Sequence, residues 1–180
     1  RPPGGWTPEG GIWCDNTSGV SFRAPEQLAA WLRQYAIGTL IGHEGIAAGI
    51  ENTNYFVITT QGRYVLTLFE KLKAHELPFY MNLMTHLARH GIPCPQPIAN
   101  RDNSALGELN GKPASIFTCV PGKDASHVDA AQCATIGALL ADMHLAGQSY
   151  AALMPNPRGP HWWQAAMPQV TSFLDAPSAA

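Results

Sequence analysis

Apolar residues recur with two different periods along this chain, and the switches between them mark out its elements. From residue 25 to 35, Leu28, Trp31, Leu32 and Tyr35 fall at i, i+3, i+4 and i+7, the stripe of a short amphipathic helix opened by Pro25. Runs rich in β-favouring residues follow at 39–47, 54–60 and 63–69 and predict strands. Gln61-Gly62 suits a tight hairpin turn between the last two, and Ala47-Ala48-Gly49 forms a small-residue corner before them. Helical spacing returns over 74–90, with Leu77, Tyr80, Met81, Met84 and Leu87 on one face and Pro78 acceptable in a first turn. Gly91-Ile92-Pro93-Cys94-Pro95-Gln96-Pro97 forbids its continuation. Strands over 105–109 and 113–120 are joined at Asn110-Gly111, the strongest short hairpin signal, and Pro121-Gly122 follows. A long helix over 128–147 carries Ile136, Leu139, Leu140, Met143 and His144 on one side, and a last one ends near Leu174, with Trp162 and Trp163 as its buried start. Hairpin signals at Gly49, Gly62 and Asn110-Gly111 predict an α+β fold, an antiparallel sheet of about five strands with the 74–90 helix against it.

Composition narrows the classes of function. The 180 residues are 46% hydrophobic, enough for a core, and only 13% charged, against about 25% in an average soluble domain. A net charge of −2 provides neither a basic surface for nucleic acid nor a polybasic membrane anchor. No apolar run reaches the roughly 18 residues of a membrane span. Cys14, Cys94, Cys119 and Cys133 show no C-x-x-C pair, which suggests free thiols in a reducing cytoplasm. Residues 1–22 are rich in glycine and proline without a helical or strand period, and read as a disordered leader outside the fold.

Candidate chemistry sits at the glycine corner. Successive backbone N–H groups in such a turn can cradle a phosphate, although the same glycine also serves an ordinary three-stranded meander. Val65 and Thr67 share one face of their strand by parity, together with Arg63, and with Lys71 if the strand continues that far. The chain has no G-x-x-x-x-G-K-[ST] motif, which excludes a P-loop enzyme.

Gly49-Ile50-Glu51-Asn52-Thr53-Asn54-Tyr55-Phe56-Val57 and Tyr64-Val65-Leu66-Thr67-Leu68-Phe69-Glu70 resemble the nucleotide-binding hairpin of small-molecule kinases of the aminoglycoside phosphotransferase type. Within that superfamily the wording is most similar to the homoserine kinases, from about Ala24 to Asp175, and Asn156-Pro157-Arg158-Gly159-Pro160-His161-Trp162-Trp163 adds to the likeness. The resemblance implies a nucleotide-binding small lobe and hinge over 23–122 and the first helices of a truncated large lobe over 123–180. It implies an ATP site of Ala48, Gly49, Ile50, Asn52 and Thr53 at the corner, Val65 over the adenine, Thr67 where kinases carry a phosphate-binding lysine, and Thr118, Cys119 and Val120 at the hinge. Threonine carries no charge, and Arg63 or Lys71 would have to substitute. By order the 74–90 helix is the one whose glutamate pairs with that lysine. Tyr80 stands near the glutamate's place, and Glu76 one turn earlier is either its stand-in or a solvated first-turn charge. His144 is expected as a packing residue.

The implied reaction is ATP-dependent phosphorylation of the hydroxyl of L-homoserine in threonine biosynthesis, with Arg158 a candidate for the substrate carboxylate, or a loop tie. Such kinases use an aspartate as base, an asparagine five residues later and a further aspartate for magnesium. The H-x-D at His127-Val128-Asp129 is followed five residues on by Ala134 and is a chance match. Catalytic residues and Mg²⁺ ligands are therefore expected beyond residue 180, and the fragment alone is expected to be inactive and to expose apolar helix faces of the truncated lobe, Trp162 and Trp163 among them. A kinase for choline, an aminoglycoside or a methylthio-sugar, or a non-catalytic binding module, are the other readings.

Overall fold

The computed structural model describes residues 25–46, 51–122 and 127–173. The reading of 1–22 as a leader lies outside them. One compact unit runs through Tyr150, and a second begins at Ala151.

The first unit is built on a six-stranded antiparallel sheet. Helix α1 (Pro25–Leu32) precedes strands β1 (Leu40–Ile46), β2 (Asn52–Thr59) and β3 (Gly62–Phe69). Helix α2 (Leu77–Arg89) is followed by β4 (Pro97–Ile98), β5 (Gly107–Leu109) and β6 (Lys112–Thr118), then helix α3 (Ala130–Gly147). The strand order is β1-β2-β3-β6-β4, with β5 also paired to β6. Strand β4 was not legible in the sequence. Its Pro97 sits opposite Phe117 in a two-residue strand, a place where a missing N–H is tolerated.

Strand pairing puts alternate residues on opposite faces. On one face Val57, Leu66, Leu68, Ala114 and Ile116 pack with Leu28, Leu32 and Tyr35 of the α1 segment. On the other, Phe69 and Phe117 pack with Leu77 and Met81 of α2, joined by Val65 and Met84. The second helix thus lies where it was expected, although it begins at Leu77 and not at 74, with Pro78 in its first turn. Helix α3 joins α2 through a third cluster, in which Leu139, Met143 and Ala146 meet Leu87 and Ile92.

Two turns differ in how well they were anticipated. Asn110 and Gly111 both have positive φ, 54° and 74°, between the paired Leu109 and Lys112, as a two-residue primed hairpin requires. In the β2–β3 hairpin, however, Thr59 pairs with Gly62, so the loop residues are Thr60-Gln61 and not Gln61-Gly62. Threonines hold this displaced turn. Gln61 N–H donates to Thr59 Oγ1 at 3.1 Å, and Thr60 N–H donates to the Thr39 carbonyl at 3.0 Å.

One expectation about burial is corrected among the described residues, and the exposure expected of a truncated large lobe is seen at the two tryptophans. His144 is exposed, because α3 packs through Leu139, Met143 and Ala146 and turns the histidine away from that contact. Trp162 and Trp163 are 44% and 59% exposed. They open helix α4 (Pro160–Val170) of the second unit, where they stack edge-to-face on each other at 5.3 Å.

Gly38 connects the α1 segment to β1 with φ +84°, and a Cβ there would lie 2.3 Å from Thr60 Oγ1. Gly38→Ala combines a disfavoured backbone with a clash at the hairpin turn, and should destabilise the fold by about 1–3 kcal/mol. Urea unfolding followed by tryptophan fluorescence would measure it as a lowered midpoint with an unchanged slope.

Candidate functional site

Of the expected residues, Asn52, Val65 and Thr67 lie on the α2 face of the sheet. Asn52 is paired with Phe69, Asn54 with Thr67 and Phe56 with Val65, so Asn52, Asn54, Phe56, Val65 and Thr67 share this face. Thr67 is buried, and its hydroxyl donates to Asn54 Oδ1 at 2.8 Å. That bond commits the threonine proton and turns the Asn54 amide nitrogen into the donor of the pair. The tie between Asn54 and Thr67 was not read from the sequence. The parity that places both on one face was its only signal.

Thr53 falls on the opposite face, level with Leu68. It is buried, and its hydroxyl donates to Glu70 Oε1 at 2.8 Å. Glu70 Oε2 also accepts a hydrogen bond from Lys112 Nζ at the start of β6. Burial alone would raise the Glu70 carboxyl, but the hydrogen bonds from Lys112 and Thr53 and the lysine charge together hold it below the usual 4.5 of a glutamate. Neither Glu70 nor Lys112 was singled out in the sequence, since their meeting depends on β3 pairing with β6.

The cations weighed as substitutes for the strand lysine take other positions. Arg63 does share the Val65 face, but its guanidinium lies 3.6 Å from the centre of the Phe56 ring, and the residue is about 13 Å along the strand from Thr67. Strand β3 ends at Phe69, so the continuation to Lys71 does not occur. Lys71 Nζ stands 4.0 Å from Glu51 Oε1 beside the corner. Glu76 is occupied locally: its carboxylate accepts from the Lys73 N–H at 2.9 Å, and Tyr80 is half-buried with Phe79 edge-on to it.

Strand β6 stops at Thr118, short of the expected 120. Thr118 N–H donates to the Gln96 carbonyl, and Thr118 Oγ1 accepts from Gln96 N–H, both at 2.9 Å. Backbone groups beyond the sheet therefore begin at Cys119, which is half-buried, and Val120, which is 44% exposed. Ala48, Gly49 and Ile50 lie outside the described residues. Arg158 belongs to the second unit, where its N–H donates to Asn156 Oδ1 at 2.9 Å, just ahead of α4.

Asp129 of the H-x-D match serves as a helix cap. Its carboxylate accepts from Gln132 N–H at 2.7 Å, while Gln132 Oε1 accepts from Asp129 N–H at 3.0 Å. Among the described residues no three His, Cys, Asp or Glu side chains gather as a metal site. An open groove of about 490 Å³ lies elsewhere, between the end of α2 and α3, lined by His90, Ile92, Leu139 and Asp142 among others. No helix of the described residues is long and apolar enough to cross a membrane.

Residues 42–179 match the model of the phosphotransferase enzyme family. The chain is 53% identical over 156 residues to a homoserine kinase of Methylobacillus flagellatus, an alignment covering 87% of this chain and 48% of that protein. It is 48% identical over 148 residues to a homoserine kinase of Paraburkholderia phymatum, covering 82% and 46%. The chain thus spans about half the length of these relatives. Among solved structures, a spectinomycin phosphotransferase in complex with ADP and spectinomycin superposes with a TM-score of 0.60 at 14% identity, over 83% of this chain and 47% of the other. An amicoumacin kinase in complex with AMP-PNP and Ca²⁺ gives a TM-score of 0.60 at 14% identity, over 85% and 48%. These two likenesses establish the fold, a kinase small lobe followed by part of a large one.

The lowered Glu70 carboxyl has a stability consequence with a definite sign. A depressed acid contributes stability above its unfolded value and loses it as pH falls through the folded one. Glu70→Gln should therefore lower the melting temperature at pH 7, and the gap to the parent should close as pH falls below about 4.5. A set of melting curves from pH 7 to pH 3 would check this, and a gap constant across that range would contradict it.

Proposed function

Because the chain belongs to the phosphotransferase enzyme family, we propose that it is the nucleotide-binding portion of a homoserine kinase, which transfers the γ-phosphoryl of ATP to the hydroxyl of L-homoserine in threonine biosynthesis. The observation that carries this reading is the 53% identity to a homoserine kinase across 87% of the chain. The small lobe and hinge occupy 23–122, and 123–180 open the large lobe. In the cytoplasm, where threonine is made, the free thiols of Cys94, Cys119 and Cys133 would stay reduced.

The residues on the α2 face suit a nucleotide. Val65 and Phe56 offer apolar surface to an adenine, and the Cys119–Val120 backbone offers an N–H and a C=O to its edge. Asn52 and the Asn54–Thr67 pair offer neutral donors to phosphate oxygens, in place of the charge of a lysine. The 48–50 corner adds backbone N–H groups, and Thr53, facing away, contributes through its main chain. Arg158 takes the carboxylate of homoserine. Mg²⁺ supplies neutralisation of the β- and γ-phosphate oxygens when bound. In this reading its ligands and the aspartate that accepts the alcohol proton lie in the half of the relatives' length that the chain does not span.

Three outcomes follow. Gly49→Asp places a carboxylate in the phosphate corner and should abolish the rise in melting temperature that ATP gives the parent; equal protection would mean the site is wrongly placed. The 180-residue chain alone should release no homoserine-dependent ADP above a no-enzyme control, since losing the base and metal together removes many factors of ten in rate, at about 1.4 kcal/mol each. Joined to the second half of the Methylobacillus flagellatus enzyme, the chain should phosphorylate homoserine in preference to choline or an aminoglycoside. Preference for either of the latter would overturn the substrate assignment.

A further inference from the structure

The end of α2 and the residues that follow α3 bring two imidazoles onto one hydroxyl. His86 and His90 are one helical turn apart, and their rings stand 4.3 Å from centre to centre. Ser149 Oγ lies 3.1 Å from His86 Nε2 and 3.4 Å from His90 Nε2. His90 Nδ1 is 2.9 Å from the His86 carbonyl, which can only accept, so in the neutral ring Nδ1 carries the proton and Nε2 the lone pair. The Ser149 proton goes to the nearer acceptor, the Ala146 carbonyl at 3.0 Å. The His90 lone pair therefore faces an oxygen whose own proton is committed elsewhere. Next to the serine, Tyr150 fixes this segment on α2, with its ring 5.3 Å from that of His86 and its hydroxyl donating to the Phe79 carbonyl at 2.8 Å.

We propose that His86 Nε2, His90 Nε2 and Ser149 Oγ form a binding site for a divalent transition cation of the zinc class, which ties the end of α2 to the end of α3. Two ligands bound at about 2.1 Å and at angles of about 90–109° stand about 3.0–3.4 Å apart, and both Nε2–Oγ separations fall in that range. A backbone carbonyl on the other ring nitrogen, as at His90, is the usual device that orients a metal-binding histidine. Imidazole nitrogens favour zinc over magnesium, which takes oxygen ligands. His86 Nε2 donates to the Ala146 carbonyl at 2.9 Å. On binding, the proton of this neutral imidazole passes through solvent to Nδ1 and the cation takes its place on Nε2, while the Ala146 carbonyl keeps the Ser149 hydroxyl as its donor. His90 and Ser149 are exposed, so water can fill the remaining positions. With two histidines in place of three or four strong ligands, the site is a modest one.

Calorimetric titration of the 180-residue chain with zinc chloride tests this. The parent should bind zinc at submillimolar concentration and show no binding of magnesium there. His86→Ala and His90→Ala should each weaken zinc about tenfold or more, and Ser149→Ala should weaken it less. His144→Ala, which removes an exposed histidine of α3 outside the cluster, should bind as the parent does. A parent that takes up no zinc, or a His90→Ala variant that binds it as tightly as the parent, would overturn the proposal. Equal losses in His144→Ala and His90→Ala would do the same, as the mark of scattered surface histidines. Should His86→Ala fail to fold, the nitrogen resonances of the parent's imidazoles still decide the matter. Zinc should move those of His86 and His90 together, and a change confined to other histidines would count against the site.

Discussion

Leu66 and Leu68 on one side of β3, and Val65 and Phe69 on the other, give this strand two hydrophobic partners. Each buried leucine is worth about 2–5 kcal/mol against alanine, so sliding the strand by one residue would exchange both cores for misfits. That register is what aims Thr67 and Val65 at the α2 face while Leu66 and Leu68 hold α1. The candidate site therefore inherits its geometry from packing. Its polar residues are placed by the apolar ones between them.

The same alternation explains why a small set of charges suffices around the corner. With only 13% of residues charged, the sheet is held by burial, and among the described residues its ion pairs stand where strand ends meet. Glu70 is such a place, joining the end of β3 to the start of β6 and, through Thr53, to the start of β2. Partial burial makes the Glu70–Lys112 pair cost more to break than a surface pair. The exposed Lys71–Glu51 contact beside it contributes little to stability and can only shape the local field.

Much of this architecture was legible because its signals are local. Asn110-Gly111 fixes its own turn, and the apolar spacing of Leu77, Met81 and Leu87 fixes the buried stripe of α2. What escaped depended on pairing across the chain. Gly62 looked like a turn residue, yet hydrogen bonds from Thr60 and Gln61 to Thr39 and Thr59 moved the turn back by one residue. Strand β4 exists only because β6 has an edge to accept it. At the site, parity identified the face of Val65 and Thr67. It could not identify Lys112 as the partner of Glu70, because 42 residues separate them. Exposure of His144 was likewise beyond reach, since a helical stripe names an apolar face without naming its cover.

Threonine at position 67 is best understood together with what α2 does not carry. A lysine on this strand would need a carboxylate on the facing helix, or it would stand as an uncompensated charge beside Leu77 and Met81. Glu76, the nearest acid to that helix, lies ahead of its first turn and is bound to the Lys73 backbone. Position 67 meets this apolar surrounding with a hydroxyl whose proton goes to Asn54 inside the sheet. Strand lysine and helix glutamate are thus absent as a pair, and each place is closed by a neutral or local contact. Helix α2 is consequently seated by apolar packing on Phe69 and Phe117 and by the Tyr150 hydroxyl, which donates to the Phe79 carbonyl at 2.8 Å. A helix seated in this way has apolar contacts and a hydrogen bond where protein kinases use an ion pair to set the helix for phosphoryl transfer.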